Sequence, residues 1–503
     1  MPGKTGDCLQ GGSLIDMNKH RGCLALTIFL ALTAWLAVPD KAQAADSNSL
    51  YESLAAPPPD FVPPQGPNPF AEPLKRSAPF IDLGDESTRV PDKWGKQPGF
   101  RPLPLTGRQI PASPAAPQVP VSEIPHSKTP LASSSQNRAA TAPLQGAPAS
   151  RNIPSGQKEL SLSDMIGQMI MVGFNGFELR DTDPLLTSIR AGRTGNIILF
   201  ERGPSGASKN IKSPAQVHLL AARLQKAAPH PLFIAVDQEG GNVQRLKPER
   251  GFEGGQAAAV LGRGSPDATR QAALRVGLEM AAVGINFDFA PVADLNVNPS
   301  SPAIGAMQRS FGANPNLTAA HVIAFGEGLI QAGVAPCLKH FPGHGSARED
   351  SHADMPDIST TWQPAELVPF QKAFLAGWSG AVMSGHLYHR GLDALHPASL
   401  SPRILTGLLR GKMQFTGVIV SDDLQMEAVA KFYTLEERIL LAVEAGVDIL
   451  LFTNNRRTQD VSADEIHAAL LRLVQQGRIS PSRIALSFER ICRLKQRFAG
   501  WKT

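Results

Sequence analysis

Two textures of apolar and polar positions divide this 503-residue chain. From about residue 158 onward, short continuous apolar runs alternate with segments in which apolar residues recur at i, i+3 and i+4. The runs predict strands at Met169–Phe174, Gly195–Phe200, Leu232–Val236, Phe287–Val292, Val334–Leu338, Ala381–Ser384, Gly417–Ser421 and Asp448–Phe452. The periodic segments predict helices, among them Pro214–Ala227, Ala268–Ala282, Leu317–Gln331, Pro364–Leu375 and Leu435–Ala445. Uninterrupted apolar runs, without polar alternation, suit parallel strands covered on both faces. Eight strand–helix units in about 340 residues predict an α/β chain folded as a single (β/α)8 barrel of the TIM type. A doubly wound open sheet is the competing architecture. No Gly-x-Gly-x-x-Gly turn follows the first strand, which speaks against it.

The first third of the chain has a different pattern. Lys19, His20 and Arg21 precede an apolar run from Cys23 to Val38, and Ala42-Gln43-Ala44 follows. That order reads as a signal peptide over residues 1–44, with Met17 a cleaner start than Met1. The apolar run is about sixteen residues, short for a membrane span, so an uncleaved anchor is the lesser reading. Residues 45–157 hold about half of the 43 prolines, mixed with Ala, Ser and Gln, and keep no period. Such a composition buries too little apolar surface to offset its ordering entropy and predicts a disordered linker. The third segment, 158–503, is the barrel. There is no internal repeat.

Composition changes this picture little. A formal charge of +5 is mild for the length and gives no argument for a nucleic-acid partner. Of four cysteines, only Cys337 and Cys492 fall in the barrel, each inside an apolar pattern, where they read as small hydrophobes instead of a disulfide pair. No Cys/His spacing suggests a metal, and no phosphate-binding Gly-rich loop suggests a nucleotide cofactor.

Candidate chemistry gathers at the C-terminal strand ends, where barrels of this type place their sites. The third strand ends in Asp237-Gln238-Glu239-Gly240-Gly241, followed by Arg245. The fourth leads to Asp294 and, further on, Arg309. The fifth opens into Lys339-His340-Phe341-Pro342-Gly343-His344-Gly345, with Asp350-Ser351-His352 beyond. The sixth reaches His386, the seventh Asp422-Asp423 and the eighth Asn454. Taken singly, Asp294, His386 and Asn454 read as loop braces, and Glu239 and Asp423 as supporting or solvated groups. His344 is expected to brace its own loop. Together, carboxylates, histidines and cations at one barrel mouth suit a polyhydroxylated ligand, or acetal chemistry by a carboxylate nucleophile and a separate acid.

The ordered set Asp-Gln-Glu-Gly-Gly, Lys-His-Phe-Pro-Gly-His-Gly, Asp-Ser-His and Ser-Asp-Asp-Leu-x-Met resembles glycoside hydrolase family 3, in particular its bacterial β-N-acetylglucosaminidases. The resemblance covers about residues 160–500, the whole barrel. It implies that Asp422 is the nucleophile, that His352 is the general acid/base and that Asp350 is its partner. It implies sugar binding by Asp237, Arg245, Arg309, Lys339 and His340. The activity so implied is retaining release of terminal non-reducing N-acetylglucosamine from peptidoglycan fragments, muropeptides or chito-oligosaccharides, without metal or cofactor. Alternatives are a β-glucosidase or a phosphorylase of the same family, and a wall-binding barrel without catalysis. The contiguous Lys-His-Phe-Pro-Gly-His-Gly with Asp-Ser-His favours the acetamido-sugar branch. The expected protein is a monomer, exported to the periplasm or secreted, with no membrane span after signal cleavage.

Overall fold

The computed structural model describes residues 160–351, 354–455 and 460–501. The expected signal peptide (1–44) and linker (45–157) lie outside the described residues, and so does His352.

All eight expected strands form: β1 (Ile170–Val172), β2 (Asn196–Ile198), β3 (Phe233–Val236), β4 (Phe287–Asp288), β5 (Ala335–Phe341), β6 (Ala381–Ser384), β7 (Ile419–Ser421) and β8 (Leu450–Phe452). Every pair is parallel, and the sheet runs β7-β6-β5-β4-β3-β2-β1-β8. The ring closes between β7 and β8, where Ser421 N–H donates to Ile449 O at 3.0 Å and Val420 lies opposite Ile449. The architecture is therefore the (β/α)8 barrel.

Most strands are shorter than the apolar runs that announce them. The runs continue into residues that stay buried after the ladder ends: β4 stops at Asp288, yet Phe289, Ala290 and Val292 are all in the interior. One strand is longer than its run. β5 extends through Lys339 and His340 to Phe341, which pairs with Ser384 after a register irregularity. Backbone pairing tolerates charged side chains here because they face the barrel mouth, so polarity marked the strand's end too early.

Helix starts are written plainly in the sequence. Ser213-Pro214, Ser265-Pro266, Asn314-Pro315 and Ser480-Pro481 each open a helix, the Ser or Asn side chain accepting a first-turn N–H. Proline at the first helical position gives up only an N–H that has no helical partner. Ser161, Thr434 and Ser462 open others with reciprocal capping boxes to Asp164, Glu437 and Glu465.

The N-terminal end of the barrel is sealed by the last helix, Pro481–Phe498. Its Lys495 is fully buried, and Nζ donates to Gln168 Oε1, Gly195 O and Pro231 O, which precede β1, β2 and β3. Asp448, entering β8, is held by Arg410 and Arg490 at 2.6 and 3.1 Å. Cys337 and Cys492 are buried free thiols. Among the described residues no helix is long and apolar enough to cross a membrane.

Candidate active site

A cavity of about 370 Å³ opens at the C-terminal strand ends. Its walls follow the layering of a barrel interior, in which alternate strands contribute to each level. Ile198 of β2, Met383 of β6, Leu451 of β8 and Phe289, directly after β4, form an apolar floor. Odd-numbered strands supply the charged groups: Asp237 directly after β3, Lys339 in β5 and Asp422 directly after β7.

Asp237 and Glu239 sit two residues apart and share one cation. Lys339 Nζ donates to Asp237 Oδ1 at 2.9 Å and to Glu239 Oε1 at 2.6 Å, with its side chain only 2% exposed. Arg245 Nη2 donates to Asp237 Oδ2 at 2.9 Å, and its guanidinium lies 5.0 Å from the Phe200 ring centroid. Arg309 forks onto Glu239, Nε to Oε2 and Nη2 to Oε1, both at 2.7 Å. Bidentate pairs of this kind fix direction as well as charge. Burial alone would raise the Asp237 carboxyl, but Lys339 and Arg245 hold it well below the usual carboxylate range. The same contest, with Arg309 and Lys339 as the cations, leaves Glu239 lowered. Lys339 is raised in turn, since Asp237 and Glu239 overcome its burial.

Asp294 organises the loop after β5. Its Oδ1 accepts the backbone N–H of His340 (3.1 Å) and of His344 (2.9 Å), and its Oδ2 accepts from His340 Nδ1 at 2.7 Å. Arg309 Nη2 lies 3.4 Å from His340 Nε2. A guanidinium only donates, so Nε2 is the acceptor and the ring proton sits on Nδ1, toward Asp294. From outside, Glu366 Oε2 accepts the Gly345 N–H (3.2 Å) and Trp362 Nε1 donates to Pro342 O (3.1 Å). Burial pushes the Glu366 carboxyl up to about 7. Gly343 has φ 126°, and a Cβ there would meet the Glu366 side chain at 2.7 Å, so glycine is required. The Lys339–His340 and Phe341–Pro342 peptides are cis.

The two adjacent acids after β7 have different surroundings. Asp423 is 1% exposed. Its carboxylate accepts from Thr453 Oγ1 at 2.6 Å, from Thr453 N–H at 3.2 Å and from Gln425 N–H at 3.1 Å. It thereby ties the end of β7 to the end of β8. Asp422 lines the cavity, and its Oδ1 accepts the Asp423 N–H at 2.7 Å. His386 is a brace: Nδ1 meets Ser399 Oγ at 2.6 Å, and Nε2 donates to Asp423 O at 2.9 Å. Asn454 likewise joins Gln425, Gly173 O and Val461 O.

Below the charged level, Asp288 of β4 is fully buried; Oδ1 accepts the Gln238 N–H at 2.9 Å. Its Oδ2 has no partner among the described residues. Burial pushes this carboxyl up to about 8. The folded value lies above the unfolded one, so the native state keeps the proton longer and stability falls as pH climbs from about 4 to about 8. Asp288→Asn is expected to flatten that fall, which amounts to roughly a few kcal/mol because each tenfold difference in proton affinity between the folded and unfolded chains is worth ~1.4 kcal/mol. Urea midpoints of both proteins at pH 5 and pH 8 check it; parallel changes in the two would refute it.

Asp237, Arg245, Arg309, Lys339, His340, Asp350 and Asp422 thus line one cavity. His352 lies outside the described residues. Glu239 belongs with the first group as the shared partner of Lys339 and Arg309, which the sequence left among supporting or solvated groups. Its spacing of two from Asp237 was the available signal. Phe200, Met307 and Asn455 also line the cavity and carried no signal of their own.

Comparison with known proteins bears on this arrangement. The family model for the glycosyl hydrolase family 3 N terminal domain matches residues 161–494, so the chain belongs to that family. A curated relative, beta-hexosaminidase A of Pseudoalteromonas piscicida, is 31% identical over 380 residues, 69% of this chain and 63% of its own length. Among solved structures, a glycoside hydrolase family 3 beta-N-acetylglucosaminidase from a Paenibacillus species is similar at TM-score 0.62 and 39% identity. That match covers 68% of this chain and 63% of the other. The beta-N-acetylhexosaminidase of Beutenbergia cavernae matches at TM-score 0.60 and 31% identity, over 67% of this chain and 99% of its own. The chain therefore spans less than two thirds of the first two relatives and nearly all of the third.

Proposed function

We propose that this family 3 member is a retaining exo-β-N-acetylglucosaminidase. It releases terminal non-reducing N-acetylglucosamine from peptidoglycan fragments or chito-oligosaccharides. The observation that carries this reading is a carboxylate, Asp422, facing the same small cavity as the Asp237–Lys339–Glu239–Arg309 network. Relatives named as beta-hexosaminidase and beta-N-acetylglucosaminidase support the substrate class.

In the first step a lone pair of Asp422 attacks the anomeric carbon, and the bond to the leaving oxygen breaks. That oxygen takes a proton from His352, whose imidazolium Asp350 stabilises. In the second step the neutral imidazole accepts a proton from water, the water oxygen attacks the anomeric carbon, and Asp422 leaves as carboxylate. Two inversions give net retention. Histidine suits an acid that must give and recover one proton near neutral pH. Asp237 accepts from ring hydroxyls. Arg245, Arg309, Lys339 and His340 contact hydroxyl and acetamido oxygens, and Arg245 keeps a buried Nε–H with no acceptor among the described residues. Export of the chain, with the Pro-rich segment as a spacer, would bring the cavity to cell-wall glycan; N-terminal sequencing of the mature protein from fractionated cells tests that.

The deciding experiment is a substrate panel of aryl N-acetyl-β-glucosaminide, aryl β-glucoside and muropeptide, run with and without phosphate. Preferential hydrolysis of the acetamido substrates, with no sugar phosphate formed, is the expected result. Preference for the glucoside, or phosphate-dependent turnover, would overturn the reading.

A further inference from the structure

His344 is the one histidine of the β5 loop for which the proposed chemistry has no use, yet it lines the cavity and is 2% exposed. Its backbone is fixed by Asp294, and its ring packs edge-on against His340 at 5.6 Å. Nε2 lies 3.3 Å from Ser351 Oγ, and Nδ1 has no partner among the described residues. Burial pushes the ring down to about 4, so it is neutral at working pH and carries one N–H. Placing that hydrogen on Nδ1 would leave a buried donor unmet, the costlier defect. It therefore sits on Nε2 and is donated to Ser351. Ser351 is itself 3% exposed and lines the cavity beside Asp350.

We propose that His344 is a positioning residue: through the His344–Ser351 hydrogen bond it sets where the Asp350 segment stands against the substrate's leaving group. The loop from Phe341 to Ser351 leaves the end of β5 and returns to the cavity wall. Its near end is anchored by Asp294 and Glu366. The His344–Ser351 bond joins that anchored end to the far one across seven residues. A displaced acid segment leaves the nucleophile's attack intact but delivers the leaving-group proton badly. The cost then falls on substrates that need the proton.

This inference rests on the glycosidase reading, and its test separates the two. Wild-type turnover of a dinitrophenyl N-acetyl-β-glucosaminide and of N,N′-diacetylchitobiose reports on the reading itself. The ratio of the two rates across variants reports on the His344–Ser351 pair. In the full chain, His344→Phe is expected to lose roughly 100-fold in kcat on the disaccharide and less than about 5-fold on the dinitrophenyl substrate, within the usual worth of general-acid help. Ser351→Ala, which removes one oxygen and spares the fold, should show the same split. The double variant should be no worse than either single one. His344→Gln keeps an amide N–H and should recover much of the disaccharide rate. Equal losses on both substrates, multiplying losses in the double variant, or no rescue by glutamine would overturn the proposal.

Discussion

Asp422→Ala is expected to abolish turnover of aryl N-acetyl-β-glucosaminides, by about 10⁴-fold or more in kcat. The reason is positional as well as chemical. Asp422 faces the cavity directly after β7, whereas the neighbouring Asp423 spends its carboxylate on Thr453 and Gln425. Asp423→Ala should therefore act mainly through folding, lowering the urea midpoint by loosening the β7 and β8 ends. Alanine at 422 opens space below the sugar, and azide supplied in solution should enter it. The product expected from a β-glycoside is then the α-glycosyl azide, identified by NMR. Near-normal turnover in Asp422→Ala together with a dead but folded Asp423→Ala would assign the nucleophile to the wrong acid.

Glu239→Ala should be the most damaging change outside the reacting atoms. One carboxylate, 3% exposed, balances Lys339 and forks with Arg309, whose side chains are 2% and 10% exposed. Removing it leaves two buried cations with Asp237 and Asp294 as the remaining nearby counter-charges, at a cost of ~3–5 kcal/mol. KM should rise with it, because the same two cations are proposed to hold the sugar. Glu239→Gln keeps the shape and one acceptor and should fall between. The acid dependence has a defined sign. Burial raises the Glu239 carboxyl, but Arg309 and Lys339 more than reverse this, leaving it lowered. Its stabilisation is present at neutral pH and is lost as pH falls through the folded value. The gap between wild type and Glu239→Gln in urea unfolding should accordingly narrow in acid. A gap that widens there would refute the assignment.

How much of this was legible beforehand varies with the physics involved. Strand positions could be read because buried parallel strands need unbroken apolar runs, and all eight appeared. The end of β5 was misplaced because Lys339 and His340 look like loop residues until the mouth is known to face them. Helix starts are less exact: the helices expected from Ala268 and Leu317 begin two residues earlier, at Pro266 and Pro315, because Ser265 and Asn314 cap them before the apolar period sets in. Glu239, by contrast, is defined by partners 70 and 100 positions away in the chain, Arg309 and Lys339. No local pattern distinguishes it from a solvated acid. The same holds for Asp288, whose raised carboxyl follows chiefly from depth, with Asp237 and Glu239 adding to it, and for His344, whose partner Ser351 is visible only once the loop is folded.

The alternation of strands around the cavity has a consequence for how such a protein can change over generations. Its greasy base comes from β2, β4, β6 and β8, and its charges come from β3, β5 and β7. A substitution such as Met383→Val would deepen the recess without displacing one ionic group. Tolerance for a bulkier or slimmer ring substituent can therefore drift while the reacting centre stays untouched. Mutational libraries confined to Ile198, Phe289, Met383 and Leu451 would sample preference while leaving every ionic group in place, at the stability cost that core substitutions carry.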